Sequence, residues 1–197
     1  MTSASILVHS VDFVMLNWFP LFSQTGSEVV DLCEIHHLKP TMIFTTNVDE
    51  SKYRWNDNIR SIASSIYAAS HNEIVDYFMT RVDPENTLIT LHGYLRIIPP
   101  EMCEKFNIYN GHPAPIKDYH KLKGKDPQIR IWQNKEKYPI IGSVVHKVIA
   151  GVDEGEIVGH HSISNVATSE DDLFRQLKFT SLMAWNRFFK ERLSEKV

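Results

Sequence analysis

The stretch TLITLHGYLRIIPPEMCEKF, residues 87 to 106, joins a β-rich apolar run to a helix in one short passage. TLITLHGYL (87 to 95) has the branched and aromatic content of a buried strand, and PPEMCEKF opens on proline at the first turn of a short helix. The same alternation extends toward the N-terminus. Ile74, Val75, Phe78, Met79 and Val82 form a helical stripe closed by DPEN, which Pro84 prevents from continuing. Before it, residues 57 to 69 carry Ile59, Ile62, Ala63, Ile66 and Tyr67 at helical spacing with Asp57 as cap, and PTMIFTTN (40 to 47) reads as a strand. Residues 12 to 24 and 28 to 38 are expected to be helical, with Pro20 breaking any single long helix, and Ile6-Leu7-Val8 is expected to be the first strand. Repeated β/α units predict an α/β fold with a mostly parallel sheet covered by helices.

Beyond residue 107 the pattern changes. SVVHKVI (143 to 149) and EIVGHHSI (156 to 163) are strands joined by AGVDEG, a loop of glycine and acid that suits neighbouring strands. The chain then enters a long helix, about 169 to 193, capped by Thr168 or Ser169 with acids at 170 to 172. Its stripe of Leu173, Phe174, Leu177, Leu182, Trp185, Phe188, Phe189 and Leu193 is core packing. The 197 residues, 43% hydrophobic and 23% charged, fit one domain. Three parts are expected within it: a Rossmann-like half (1–107), a catalytic half (108–165) and the C-terminal helix (169–193).

A net charge of −3 gives no general attraction to nucleic acid or anionic membrane. The N-terminus has no basic leader and no apolar run of transmembrane length. The two cysteines, Cys33 and Cys103, are too far apart in sequence for a C-x-x-C site, and a reducing cytoplasm fits them. The adjacent pairs His36-His37 and His160-His161 lack completing ligands, and neighbours on a strand face opposite ways, so no metal is expected.

The chemistry concentrates in NIYNGHPAPIKDYHKLKGKDP (107 to 127). In an open α/β sheet, ligands bind at the carboxyl ends of strands. There the loop after residue 95, the Asn110/His112 segment and the loop bearing Asp153 should converge. A carboxamide, an imidazole and a carboxylate supply an oxyanion donor, an acid/base and its orienting partner, a set suited to acyl or formyl transfer to an amine. The same residues also read as ordinary punctuation: Asn-Gly as a turn, His-Pro as a loop, Asp-Glu-Gly as a hairpin cap.

HGYLRIIPPEMCEKFN, NGHP and GSVVHKVIAGVDEGEIVGHHSIS together resemble the formyltransferases that use 10-formyltetrahydrofolate, with a size and layout nearest the phosphoribosylglycinamide formyltransferase group. The shared pattern falls on Asn110, His112 and Pro113, on Gly142 and His146, and on Asp153 and Gly155. The resemblance implies a three-layer α/β/α formyltransferase fold with a Rossmann-like N-terminal half. It implies that Asn110, His112 and Asp153 are catalytic, that Leu95, Arg96, Ile97 and Ile98 line a pterin slot, and that Val152 and Glu154 close over it. His146 would lie in the pocket wall. Lys117, Lys121 and Lys123 would grip a phosphate or nucleotide on the acceptor, and as a charge run they equally suit a solvated surface. The co-substrate would be 10-formyltetrahydrofolate, and the acceptor a primary amine such as an amino sugar or nucleotide-linked amine. Hydrolysis of 10-formyltetrahydrofolate and non-catalytic folate binding are the competing functions. ILVHSVDFVMLNWF has no glycine before Gly26, so the phosphate-cradling turn of that group is expected to be missing. The chain stops after one helix where transfer-RNA formyltransferases add a basic domain, so transfer RNA is not expected as acceptor. The oligomeric state, a homodimer included, is not fixed by the sequence.

Overall fold

The computed structural model describes residues 17–50 and 53–194. Among these residues seven strands form one mixed sheet: β1 (Asn17–Phe22), β2 (Ile43–Thr45), β3 (Ile66–Ala68), β4 (Thr87–His92), β5 (Asn107–His112), β6 (Ile140–Lys147) and β7 (Ile157–Ser164). Their spatial order is β3-β2-β1-β4-β5-β6-β7. The first five are parallel, while β6 and β7 run antiparallel to their neighbours.

Among the described residues six α-helices cover the sheet: α1 (Ser27–His36), α2 (Ile59–Ile62), α3 (His71–Arg81), α4 (Pro100–Lys105), α5 (Pro127–Gln133) and α6 (Glu170–Ser194). Strand alternation sends Trp18 and Phe22 of β1 into a cluster with α1 and α6, and Phe19 and Leu21 into a second cluster with α3 and α4. These are the three layers that the resemblance implies, around the mostly parallel sheet that the sequence pattern predicts. A third cluster, around Ala114, Ile116, Leu122, Ile131 and Leu173, anchors the segment after β5.

Three expectations are corrected. Residues 17–22 are a strand and not a helix: a strand buried on both faces reads as an unbroken apolar run, and that run carries no period-2 signal. Pro20 is tolerated in it because Trp18 and Phe22 give their carbonyls to the amides of Thr41 and Thr46. By alternation, the missing N–H of residue 20 faces the same side, where β2 is only three residues long. The helix expected over 57–69 is a single turn with Asn58 at its N-cap, because Ile66–Ala68 pairs with β2. Asp57 instead pairs with Arg54 at 2.7 Å. Asn110-Gly111 is not a turn but the body of β5, where a Cβ on Gly111 would lie 2.6 Å from the Trp185 indole nitrogen. The expected strand Ile6–Val8 lies outside the described residues.

The helix expected around 74–82 is observed as α3, opened by a capping box in which Ser70 and Glu73 exchange hydrogen bonds. Ser70→Ala is expected to cost about 1 kcal/mol, read from the urea midpoint.

Candidate active site

The connection after β1 runs to one side of the sheet and that after β4 to the other, which makes their carboxyl ends a topological switch point. Ser23 ties the two ends together. Its amide donates to Gly93 O (3.3 Å), and its hydroxyl accepts from Leu95 N (3.0 Å).

One strand further on, Asn110 and His112 project from β5 on the same face, and the register pairs Asn110 with His146. Asp153 returns from the loop between β6 and β7 to lie between two imidazoles. Its Oδ2 is 3.2 Å from His112 Nδ1, and its Oδ1 is 3.2 Å from His146 Nε2. The Gly124 amide donates to Oδ2 at 2.7 Å, and Asn110 Nδ2 lies 3.3 Å from His146 Nε2. The structure therefore brings Asn110, His112, His146 and Asp153 into one cluster. The two histidines and the carboxylate have side chains less than a tenth exposed.

The outer nitrogen of each ring faces a backbone carbonyl. His112 Nε2 donates to Leu122 O (2.9 Å) and His146 Nδ1 to Lys147 O (3.0 Å). The inner nitrogens can thus carry a proton toward Asp153 only when a ring is cationic. Burial pushes the Asp153 carboxyl up, but the His146 hydrogen bond, the His112 ring and the Gly124 amide outweigh it and hold the group down at about 2. Burial also lowers His112 below the usual imidazole range against the pull of Asp153. At neutral pH the cluster is an ionised carboxylate flanked by a neutral His112.

Arg130, not singled out by the sequence reading, organises the lysine-bearing loop. From α5 its guanidinium donates to the carbonyls of Lys121 (2.6 Å), Leu122 (3.2 Å), Lys123 (2.9 Å) and Lys125 (2.9 Å). Because Leu122 O also receives His112, the arginine sets the position of the ring through the loop. A hydrophobic anchor, Leu122, fixes the same segment from below.

The remaining predicted residues divide. Leu95 and Ile97 are 59% and 74% exposed and Val152 is 53% exposed, whereas Ile98 is buried in the cluster with α3 and α4. Val148 packs on that same cluster, so both loops are seated on one apolar body. Arg96 is exposed and makes a long contact to Leu95 O. Glu154, Lys117 and Lys123 line a cavity of about 590 Å³ together with Asp153, His120, His160 and Arg187. Lys121 is exposed outside that lining.

A second cavity, about 240 Å³, lies at the switch point between Gln24–Glu28, His92-Gly93, Gly111, Pro113, Gln128 and the α6 residues Lys178 and Ser181. Here the sequence expectation about the first turn is corrected. Ser23–Gly26 directly follows the first described strand and opens α1, and Gly26 takes a left-handed conformation (φ 72°). A glycine turn stands there, and an acid, Glu28, follows it in the first turn of α1. Glu28 contacts His92 Nδ1 at 2.8 Å and accepts from the Ser181 hydroxyl at 2.5 Å. Among the described residues no group of three or more His, Cys, Asp or Glu has the placement of a metal site, and no helix is long and apolar enough to cross a membrane.

The fold is shared with solved enzymes. Glycinamide ribonucleotide transformylase 1 from Symbiobacterium toebii superposes with a TM-score of 0.70 at 19% identity, over 89% of this chain and 86% of that one. Phosphoribosylglycinamide formyltransferase from Anaplasma phagocytophilum gives 0.72 at 18% identity, over 89% and 85%. A formyltetrahydrofolate deformylase from Pseudomonas syringae pv. tomato gives 0.70 at 16% identity, covering 90% of this chain but 61% of that one. No curated protein matches the chain in sequence. Residues 43–179 match the Formyl transferase family, and this span includes β2 to β7 and the whole Asn110–His112–His146–Asp153 cluster. The chain belongs to the formyl transferase family.

Proposed function

We propose that the chain moves a formyl group from 10-formyltetrahydrofolate to the primary amine of a small molecule. One observation carries the reading: a buried, ionised Asp153 between two imidazoles, beside the Asn110 carboxamide. Attack of an amine on the formyl carbon places negative charge on oxygen and positive charge on nitrogen. Asn110 has a second amide hydrogen beyond the one directed at His146, and that hydrogen stabilises the oxygen. The inner nitrogen of His112 accepts the proton shed by the amine, and the imidazolium formed is held by Asp153. Collapse of the tetrahedral species breaks the bond to the folate nitrogen, which leaves with that proton.

The exposed apolar side chains of Leu95, Ile97 and Val152 suit the faces of a flat heterocycle, and main-chain groups of residues 95–98 suit its polar edge. Lys117 and Lys123, with Arg187 in the same cavity, provide cationic contacts for an anionic part of a ligand.

The test is turnover of 10-formyltetrahydrofolate with and without a panel of primary amines. Release of tetrahydrofolate that depends on an added amine is the expected result, with Asn110→Ala lowering kcat about 10²–10³-fold. Release without any amine assigns the chain to hydrolysis, the activity named for the Pseudomonas syringae relative. Binding without turnover makes it a folate-binding protein.

A further inference from the structure

The segment Lys121–Lys125 makes two contacts with the reactive cluster, one to each member of the His112–Asp153 pair. The Leu122 carbonyl receives His112 Nε2 at 2.9 Å, and the Gly124 amide donates to Asp153 Oδ2 at 2.7 Å. A few atoms of backbone thus bridge an imidazole on β5 and a carboxylate on the β6–β7 loop, which stand 3.2 Å apart.

Local structure alone would not hold the segment in this state. His120–Leu122 is a single 3₁₀ turn, in which Lys123 N donates to His120 O. One more residue of the same turn would aim the Gly124 amide at Lys121 O, and a second would aim the Lys125 amide at Leu122 O. Instead Gly124 adopts a left-handed conformation (φ 81°) and its amide goes to Asp153. The last carbonyls of the turn are left needing other donors.

Arg130 provides them. Its Nη1 donates to Lys121 O at 2.6 Å, and its Nη2 is shared among the carbonyls of Leu122, Lys123 and Lys125 at 3.2, 2.9 and 2.9 Å. A planar fork of N–H groups can serve four carbonyls that converge in this way, whereas a lysine in its place offers one compact charge. The fork has a fixed base: Ile131, the next residue of α5, is buried in the same cluster as Leu122. Its charge acts in the same sense. Burial, His146 and Arg130 oppose protonation of His112, against the pull of Asp153 and the Leu122 carbonyl, so the ring is kept as a base.

We propose that Arg130 is a positioning residue for both members of the pair: by bonding the carbonyls of residues 121–125 it releases the Gly124 amide to Asp153 and holds the Leu122 carbonyl on His112. It touches no reacting atom. The proposal rests on the transferase reading for its effect on rate, and on the contacts above for its effect on geometry.

The test is Arg130→Ala, read first by NMR with neither folate nor amine present. In the wild type the His112 Nε2–H and Gly124 N–H signals are expected to be protected from exchange with water. In the variant both lose protection while the amides of β4 and β5 keep theirs. Guanidinium chloride far below its denaturing range restores both, and sodium chloride at the same concentration does not. In the turnover assay kcat falls about 10²-fold with an unchanged KM for 10-formyltetrahydrofolate, and guanidinium recovers it. Arg130→Lys, which keeps the charge and loses the fork, is read in the same way should the alanine variant not fold. Full protection of both signals in a folded variant, their absence in the wild type, or a loss that guanidinium does not reverse overturns the proposal. A wild type without turnover, in which protection still depends on Arg130, sinks the transferase reading and leaves the positioning role standing.

Discussion

Replacing Asp153 with asparagine is expected to lower formyl transfer about 10²–10⁴-fold while leaving the fold intact. The amide fits the site: its oxygen accepts from the Gly124 amide, and its nitrogen donates to the inner nitrogen of His146. What disappears is the charge that holds an imidazolium. The wild-type rate should fall on the acid side, below pH 6.5, as His112 and its depressed proton affinity limit the base. Asp153 raises that affinity, so its removal moves the acid limb to still lower pH. Stability carries the same sign. The carboxyl stays ionised down to about 2, so its contribution is present above the unfolded value near 4 and is lost as pH falls toward 2. An asparagine variant with the wild-type rate and pH profile would sink the assignment of Asp153 as the charged partner.

Gly155→Ala is expected to abolish most activity from a position that touches no reactive atom. An added Cβ would lie 1.7 Å from Lys147 O, at the neck where Lys147 N donates to Glu156 O at 2.8 Å. The neck must open, and the loop that delivers Asp153 shifts with it. The expected losses are about 1–3 kcal/mol of stability by urea titration and a fall in kcat comparable to that of Asp153→Asn. Wild-type kcat in this variant would mean that the loop reaches the histidines without its anchored neck.

The meeting of Asn110, His112 and Asp153 was legible in the sequence because three short patterns, separated by tens of residues, carry residue types that the proposed formyl transfer needs together. The strand–helix step at 87–105 was legible too, since Pro100 and the apolar run mark both elements. β1 was not, because Trp18 to Phe22 are buried on both faces and Pro20 imitates a helix breaker. β3 escaped because three residues between a helical turn and a capping box leave no period to read. The Glu28–His92 pair could not be inferred: its members are 64 residues apart and meet only through the register of β1 with β4. Arg130 gave no motif, since its partners are four backbone carbonyls that any side chains could accompany.

The order of strands also bears on how the molecule is made. Trp18 and Thr90 touch across 72 residues, so this aromatic strand, interior in the finished sheet, has one flank bare until the chain past residue 90 leaves the ribosome. During synthesis that flank offers an unpaired row of amides and carbonyls to any neighbouring nascent chain. Production at low temperature, or with holdase chaperones in excess, should therefore raise the soluble yield far more than it raises the melting temperature of the finished protein.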